Sequence, residues 1–391
     1  MPACWPGTAA GAWLLYEWEL LSQNITVAAA ATGAASSSAS INDSCPPLQR
    51  FIRVDPKACG HKVPSTVPNA GHTNLPSCCA ANETLLTSEL ANASVLLIGD
   101  STSAQLLWHG CEAFRSRPRS FVPINNVPSA SLRPYTHRLR SLDNHACKLP
   151  GNITFGSFSH YGATGPPYWV FAYPLAPWLA NTTVGMVRKD MPRFRTLTTP
   201  VGSDPTLIVA SSGFWDIAAW WAYEGNFSKR WSLNSNHTAR YVTGVRRLVR
   251  DVRRAFPRSA VIWRLMHPGL KHSITPRVVS QLNAAIRMAA PSWRLPLIDT
   301  EAMIASLSKA RSPNMPKGPP YGTQDGRHLH PWLNIALLNL VLNVASHVVQ
   351  ARAHVGEGSE RVLPYMHGGG GLRGGGARAA HSPSTPDWLS E

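Results

Sequence analysis

The feature that most constrains the fold is a gapless succession near residue 100. The apolar run Val95-Leu96-Leu97-Ile98 leads straight into Gly99-Asp100-Ser101, and Thr102 to Phe114 continues with helical character. A short apolar run bounded by turn residues reads as a strand buried on both faces. Gly permits positive φ, while Asp and Ser hydrogen-bond their own backbone, so the three residues make a tight turn. A buried strand turning at once into a helix belongs to an open parallel sheet covered by helices. Such sheets bind ligands beyond the carboxyl ends of their strands. Ser101 is therefore expected at a helix N-terminus, where free N–H groups and the positive dipole end favour a developing anion.

The pattern repeats downstream. Thr206 to Ala210 reads as a second core strand, and His237 to Phe256 as a helix burying Tyr241, Val245, Leu248, Val249 and Val252. Its Arg246, Arg247, Arg250, Arg253 and Arg254 read as a solvated face rather than a polyanion groove. Ala260 to Leu265 is the next strand. Thr275 caps a helix that Pro276 opens and that runs to about Ala290. Leu295 to Asp299 reads as a strand that Pro296 restricts to an edge or to its own beginning. Thr300 is expected to cap the next helix, and Pro331 to Val349 closes the fold. The expected architecture is α/β, a three-layer α/β/α sandwich with a mostly parallel central sheet and a cysteine-containing N-terminal extension. Residues 1–44 form a low-complexity segment, 45–93 the extension packed on the core, 94–350 the catalytic domain, and 351–391 a disordered Gly-rich tail.

At 391 residues the chain is long enough for a large core. Lys and Arg outnumber Asp and Glu 37 to 21, a net charge of +16, which suits an acidic partner such as an acidic polysaccharide. No nucleic-acid module accompanies the charge, so no nucleic-acid partner is expected. Eight Asn-x-Ser/Thr sequons, at Asn24, Asn42, Asn82, Asn92, Asn152, Asn181, Asn226 and Asn236, suit a glycoprotein of the secretory pathway, Golgi-luminal or secreted. Seven cysteines all fall in the first 147 residues, which in an oxidising lumen implies disulfides pinning the N-terminal region to the core. No signal peptide or membrane anchor is evident: Ala12 to Tyr16 is too short, and Glu17 and Glu19 interrupt it.

The chemistry lies in a second motif, Asp325-Gly326-Arg327-His328. A serine hydroxyl is a poor nucleophile until an imidazole takes its proton and a third group fixes that imidazole's tautomer. Ser101, His328 and Asp325 supply the three residue types. His330 beside Asp325 suggests a metal pair, but no further ligands accompany it, and no metal or cofactor is expected. Trp215, Trp220 and Trp221 suit core packing better than a sugar-stacking platform.

With these residues the chain resembles the SGNH (GDSL-like) hydrolase superfamily, and within it the PC-esterase and trichome-birefringence-like branch, from about Ser94 to about Val349. Ser211-Ser212-Gly213-Phe214-Trp215-Asp216 and Val261-Ile262-Trp263-Arg264 are similar to two further segments of that family. The resemblance implies Ser101 as nucleophile, His328 as base and then acid, and Asp325 as its orienter. It places Gly99, Asp100, Ser211, Gly213 and Trp215 around the oxyanion and substrate, and gives Asp216 a structural role. Ser211 stands where the family carries an Asn that stabilises the oxyanion, and loss of such a donor costs about 10²–10³ in rate. The second-block Gly is Gly162 or Gly165, and Thr102 to Gln105 lacks an Arg found in many plant members. The implied activity is O-acyl, chiefly O-acetyl, transfer or ester hydrolysis on a glycan or cell-wall polysaccharide, through an acyl-enzyme on Ser101. Its partners are an acyl donor with a carbohydrate acceptor, or an acylated glycan. A non-catalytic glycan-binding or scaffold protein on the same fold is the alternative, and a nucleic-acid-binding protein that uses the arginines ranks below it.

Overall fold

The computed structural model describes residues 50–54, 79–122, 144–160, 162–164, 191–225, 228, 231–269, 275–309 and 327–356. Asp325, Gly165, Cys4, Cys45, Cys59, Cys78 and the sequons at Asn24, Asn42, Asn181 and Asn226 lie outside the described residues, as does the segment 1–44.

Strand β1 (Ile52–Val54) pairs antiparallel with β2 (Cys79–Ala81), and α1 (Glu83–Leu90) comes next. The main sheet contains β3 (Ser94–Gly99), β4 (Arg119–Val122), β5 (Asn144–Leu149), β6 (Ile153–Ser159), β7 (Leu207–Ala210), β8 (Ala260–Arg264) and β9 (Leu297–Ile298). Their order is β4-β5-β6-β3-β7-β8-β9. From β6 to β9 every pairing is parallel, whereas β4–β5 and β5–β6 are antiparallel. The expected three-layer sandwich is present, and β9 sits at the edge that Pro296 demands. Strands β4, β5 and β6 carry polar residues and a hairpin register that the downstream pattern does not announce.

The helices are α2 (Ser101–Ala113), α3 (Phe214–Tyr223), α4 (Ser235–Ala255), α5 (Pro276–Ala289), α6 (Thr300–Lys309) and α7 (Pro331–Gly356). In β3, Val95 and Leu97 face the layer built by α1, α2, α6 and α7, while Leu96 and Ile98 face that of α3, α4 and α5. β7 and β8 alternate likewise, with Val209 and Ile262 on the first side and Ile208 and Trp263 on the second. Burial on both faces is why these strands read as continuous apolar runs. The cap of α6 is Asp299 rather than Thr300: its Oδ1 accepts from the Ala302 N–H at 2.9 Å, while the Thr300 hydroxyl donates to Leu265 O.

Helix α7 runs on to Gly356, past the expected end at Val349, and Arg352 near its end bonds the carbonyls of Thr206 and Arg258. Its stretch Pro331–Ala353 is long and apolar enough to cross a membrane by length and composition, and 83% of it is buried inside the fold. Asn339 of α7 accepts from the N–H groups of Phe51 and Ile52 and donates to Ile52 O, which seats β1 on the core. On α4, Arg253 leaves the solvated face and donates to the carbonyls of Trp293 and Arg294. Burial of Trp220 places it in the core, against the His237 ring.

A disulfide joins Cys111 on α2 to Cys147 on β5, so this cross-link ties helix to sheet within the main domain rather than the extension to the core. It closes a 36-residue separation, for which chain entropy gives a stabilisation of about 4 kcal/mol. Cys111→Ala/Cys147→Ala protein is expected to unfold at clearly lower urea than wild type, and a reductant should lower the wild-type midpoint towards that of the variant.

Candidate active site

The turn after β3 carries the site. Asp100 caps α2: its Oδ1 accepts from the Thr102 N–H at 2.9 Å and from the Thr102 hydroxyl at 2.8 Å. Ser101 is thereby fixed as the first residue of a 13-residue helix, with the positive dipole end at its side chain. Gly99 is required here, because an added Cβ would lie 2.2 Å from Ser103 Oγ and 2.6 Å from Ser211 Oγ.

Ser101 Oγ lies 2.8 Å from His328 Nε2, across 227 residues of sequence. Both side chains are half-buried, so the pair can be reached from outside. This is the nucleophile–base contact that the two motifs imply. Asp325, the expected orienter, is outside the described residues.

Two further groups hold the backbone around His328. On its N-terminal side, the His267 Nε2–H donates to the carbonyl of Arg327. On its C-terminal side, Asn334 Nδ2 donates to Leu329 O at 3.4 Å and to His109 Nδ1 at 3.0 Å. His109 and His267 are both buried, and burial lowers each imidazole to about 4, with the neighbouring His328 adding to the depression. They therefore serve as neutral hydrogen-bonding groups.

Beneath Ser101 lies a buried cation. Arg264, the last residue of β8, is 3% exposed, and its Nη2 donates to Thr102 Oγ1 (2.9 Å), Ser211 Oγ (3.0 Å) and Ser103 Oγ (3.1 Å). Thr102 passes the interaction on to Asp100, so a hydroxyl bridges the guanidinium and the capping carboxylate. Burial pushes the guanidinium down to about 10, and Asp100 opposes the shift. Ser211, expected near the oxyanion, has its hydroxyl engaged by Ser103 and Arg264.

The other expected residues flank this cluster. Gly213 caps α3 at φ 131°, where a side chain would meet Met266 and the Tyr241 hydroxyl. Trp215 is half-buried in the first turn of α3. Asp216 has the structural role: its carboxylate accepts from Ala163 N, Thr164 N, Thr164 Oγ1 and Ser212 Oγ, which fastens the loop after β6. Burial raises its carboxyl, against those four donors. That loop contains Gly162 at φ 88°, leaving the sheet beside Gly99. His160 donates its backbone N–H to Gly99 O at 2.7 Å, and neither of its buried ring nitrogens has a hydrogen-bond partner among the described residues. Its imidazole is lowered to about 4 by burial, with Asp100 opposing.

Arg264 entered the sequence reading only as the last residue of the Val261-Ile262-Trp263-Arg264 segment, without a role of its own. His109, His160, His267 and Asn334 carry no local sequence signal, since only the tertiary fold brings them to the site.

No protein-family model matches the chain, and no curated protein matches it. Among solved structures it is similar to a lipase/acylhydrolase from Enterococcus faecalis, at 10% identity and TM-score 0.35 over 65% of this chain and 96% of that one. It is also similar to a catalytic mutant of an acetylxylan esterase from Geobacillus stearothermophilus, at 15% identity and TM-score 0.36 over 65% and 94%. A GDSL-like lipase from Bacteroides thetaiotaomicron stands at 12% identity and TM-score 0.33 over 68% and 98%. These likenesses are distant, and the functional reading rests on the site geometry.

The buried histidines make both stability and rate testable. His109, His160 and His267 stay neutral in the fold down to about pH 4 but titrate near 6.5 in the unfolded chain. The unfolded state thus binds more protons across that window, and stability falls as pH drops through it, by up to roughly 1.4 kcal/mol per unit for each histidine. The urea midpoint should be lower at pH 5 than at pH 7, and equal midpoints would contradict the assignment. His267→Leu should slow acylation of Ser101 by roughly 10²-fold through misplacement of His328, while His267→Gln, which keeps a donor, should recover part of the rate.

Proposed function

We propose that this protein is an SGNH-type serine esterase or O-acyltransferase that acts on a glycan-linked acyl ester, chiefly acetyl, through an acyl-enzyme on Ser101. The observation that carries the reading is the 2.8 Å contact between Ser101 Oγ and His328 Nε2 at the N-terminus of α2.

In the proposed cycle His328 Nε2 takes the Ser101 proton as Oγ attacks the acyl carbonyl. The helix N-terminus faces the oxyanion that develops there, and the buried Arg264 guanidinium adds positive potential from below. His328 then gives the proton to the departing alkoxide, leaving the acyl group on Ser101. In the second half His328 activates water, for hydrolysis, or a sugar hydroxyl, for transfer. Asp325 is assigned the orientation of His328. The trichome-birefringence-like resemblance favours a polysaccharide acceptor and a secretory-pathway location, and the four described sequon asparagines, Asn82, Asn92, Asn152 and Asn236, are all exposed.

One observation favours a second reading, a non-catalytic glycan-binding protein: the Ser211 hydroxyl is held by Ser103 and Arg264 rather than left open to an oxyanion. Turnover separates the two. Wild type is expected to release acetate from 4-nitrophenyl acetate and from acetylated oligosaccharides, with kcat/KM lowered roughly 10³-fold or more in Ser101→Ala and in His328→Ala. A folded wild type with turnover no greater than that of Ser101→Ala would leave the binding reading.

A further inference from the structure

The loop after β6 leaves the sheet edge beside Ser101 and crosses α4 at Gly244. An added Cβ there would lie 2.3 Å from the Ala163 carbonyl oxygen, so the crossing is backbone against backbone. Asp216 holds this loop through the N–H groups of Ala163 and Thr164. Around the crossing, Arg240, Thr243, Arg247 and Thr164 line a cavity of about 300 Å³. Positions 240, 243, 244 and 247 share one helical face, which places Arg240 one turn before the crossing and Arg247 one turn after it.

The composition of this cavity is one-sided. It offers two guanidinium groups and the Thr243 hydroxyl, while the Thr164 hydroxyl is donated to Asp216. The two neighbouring carboxylates are engaged: Asp216 by the loop groups of Ala163 and Thr164, and Glu224, which pairs with Arg240 at 3.9 Å, by His237 Nε2. Arg247 has no acidic partner within ion-pair distance among the described residues. By contrast Arg250 and Arg254, farther along α4, pair with Asp251, and Arg253 is spent on carbonyls. Arg247 is exposed, as its place on the solvated face of α4 predicts, and it also lines this open cavity.

We propose that this cavity is a subsite for an anionic sugar, a unit bearing a carboxylate or sulfate group. Guanidinium groups recognise such anions through paired N–H donors, and the volume lies at the small end of ligand sites, enough for one sugar unit. Its place beside the glycan acted on at Ser101 rests on the esterase or transferase reading, whereas anion binding itself rests on the cavity. The net charge of +16 would draw an acidic chain towards it.

The test is calorimetric titration of Ser101→Ala protein, which cannot turn substrate over, with glucuronate, glucose 6-sulfate and glucose. Glucuronate or glucose 6-sulfate is expected to bind at least about tenfold more tightly than glucose, and the tighter of the two identifies the anion. Arg247→Ala should weaken that binding by roughly fivefold or more. Thr243→Glu, an exposed substitution that leaves the core untouched, should do the same by placing a carboxylate in the cavity. Equal binding of glucose and both acidic sugars, or unchanged binding in both variants at wild-type thermal stability, would overturn the proposal. Failure of Ser101 chemistry with Arg247-dependent anion binding retained would remove the esterase reading and leave the subsite standing. Ester turnover with no discrimination among the three sugars would remove the subsite alone.

Discussion

The site depends on a buried cation that has no direct carboxylate partner among the described residues. Taking a guanidinium out of water costs several kcal/mol even after relaxation, and here the compensation comes from three hydroxyls, those of Thr102, Ser103 and Ser211, with Asp100 reached through Thr102. This arrangement joins the ends of β3, β7 and β8 to the first turn of α2. It also explains Gly99, since any side chain there would displace the Ser103 and Ser211 hydroxyls. The position of Ser101, the proposed nucleophile, is thus set by a polar cluster under it as much as by the strand that precedes it.

The base is positioned by different means. His328 sits at the end of a long separation from Ser101, in a short segment before α7, and such a segment has little intrinsic rigidity. Bonds to the carbonyls on either side of it, from His267 and Asn334, fix its backbone. The Asn334 bond to His109 Nδ1 needs a neutral ring there, and burial lowers the His109 imidazole to about 4. In the proposed cycle the acid–base chemistry falls to the half-buried His328.

Much of the fold was legible in the sequence, for physical reasons. Strands β3, β7 and β8 are buried on both faces, so their apolar runs stand out, and the Thr275 cap and Pro276 mark the start of α5 as expected. The Gly-Asp-Ser turn and the distant histidine could be paired because nucleophilic catalysis needs both residue types. The antiparallel strands β4 and β5 were not legible, because residues such as Asn144, His145 and Lys148 carry no apolar run. Ser211 was expected to serve the oxyanion, and its engagement with Arg264 comes from a strand neighbour that sequence spacing does not reveal. The bracing histidines are invisible for the same reason: they come from α2 and from the end of β8, and only the folded sheet edge brings them together.

Activation of Ser101 by His328 is the step on which the proposed catalytic function rests. Intact-mass analysis of the purified protein after exposure to a fluorophosphonate tests it most directly. The expected result is a single phosphonyl adduct on wild type and none on Ser101→Ala or His328→Ala protein of equal thermal stability. A folded wild type that takes up no adduct, or a His328→Ala protein labelled as fast as wild type, would contradict it.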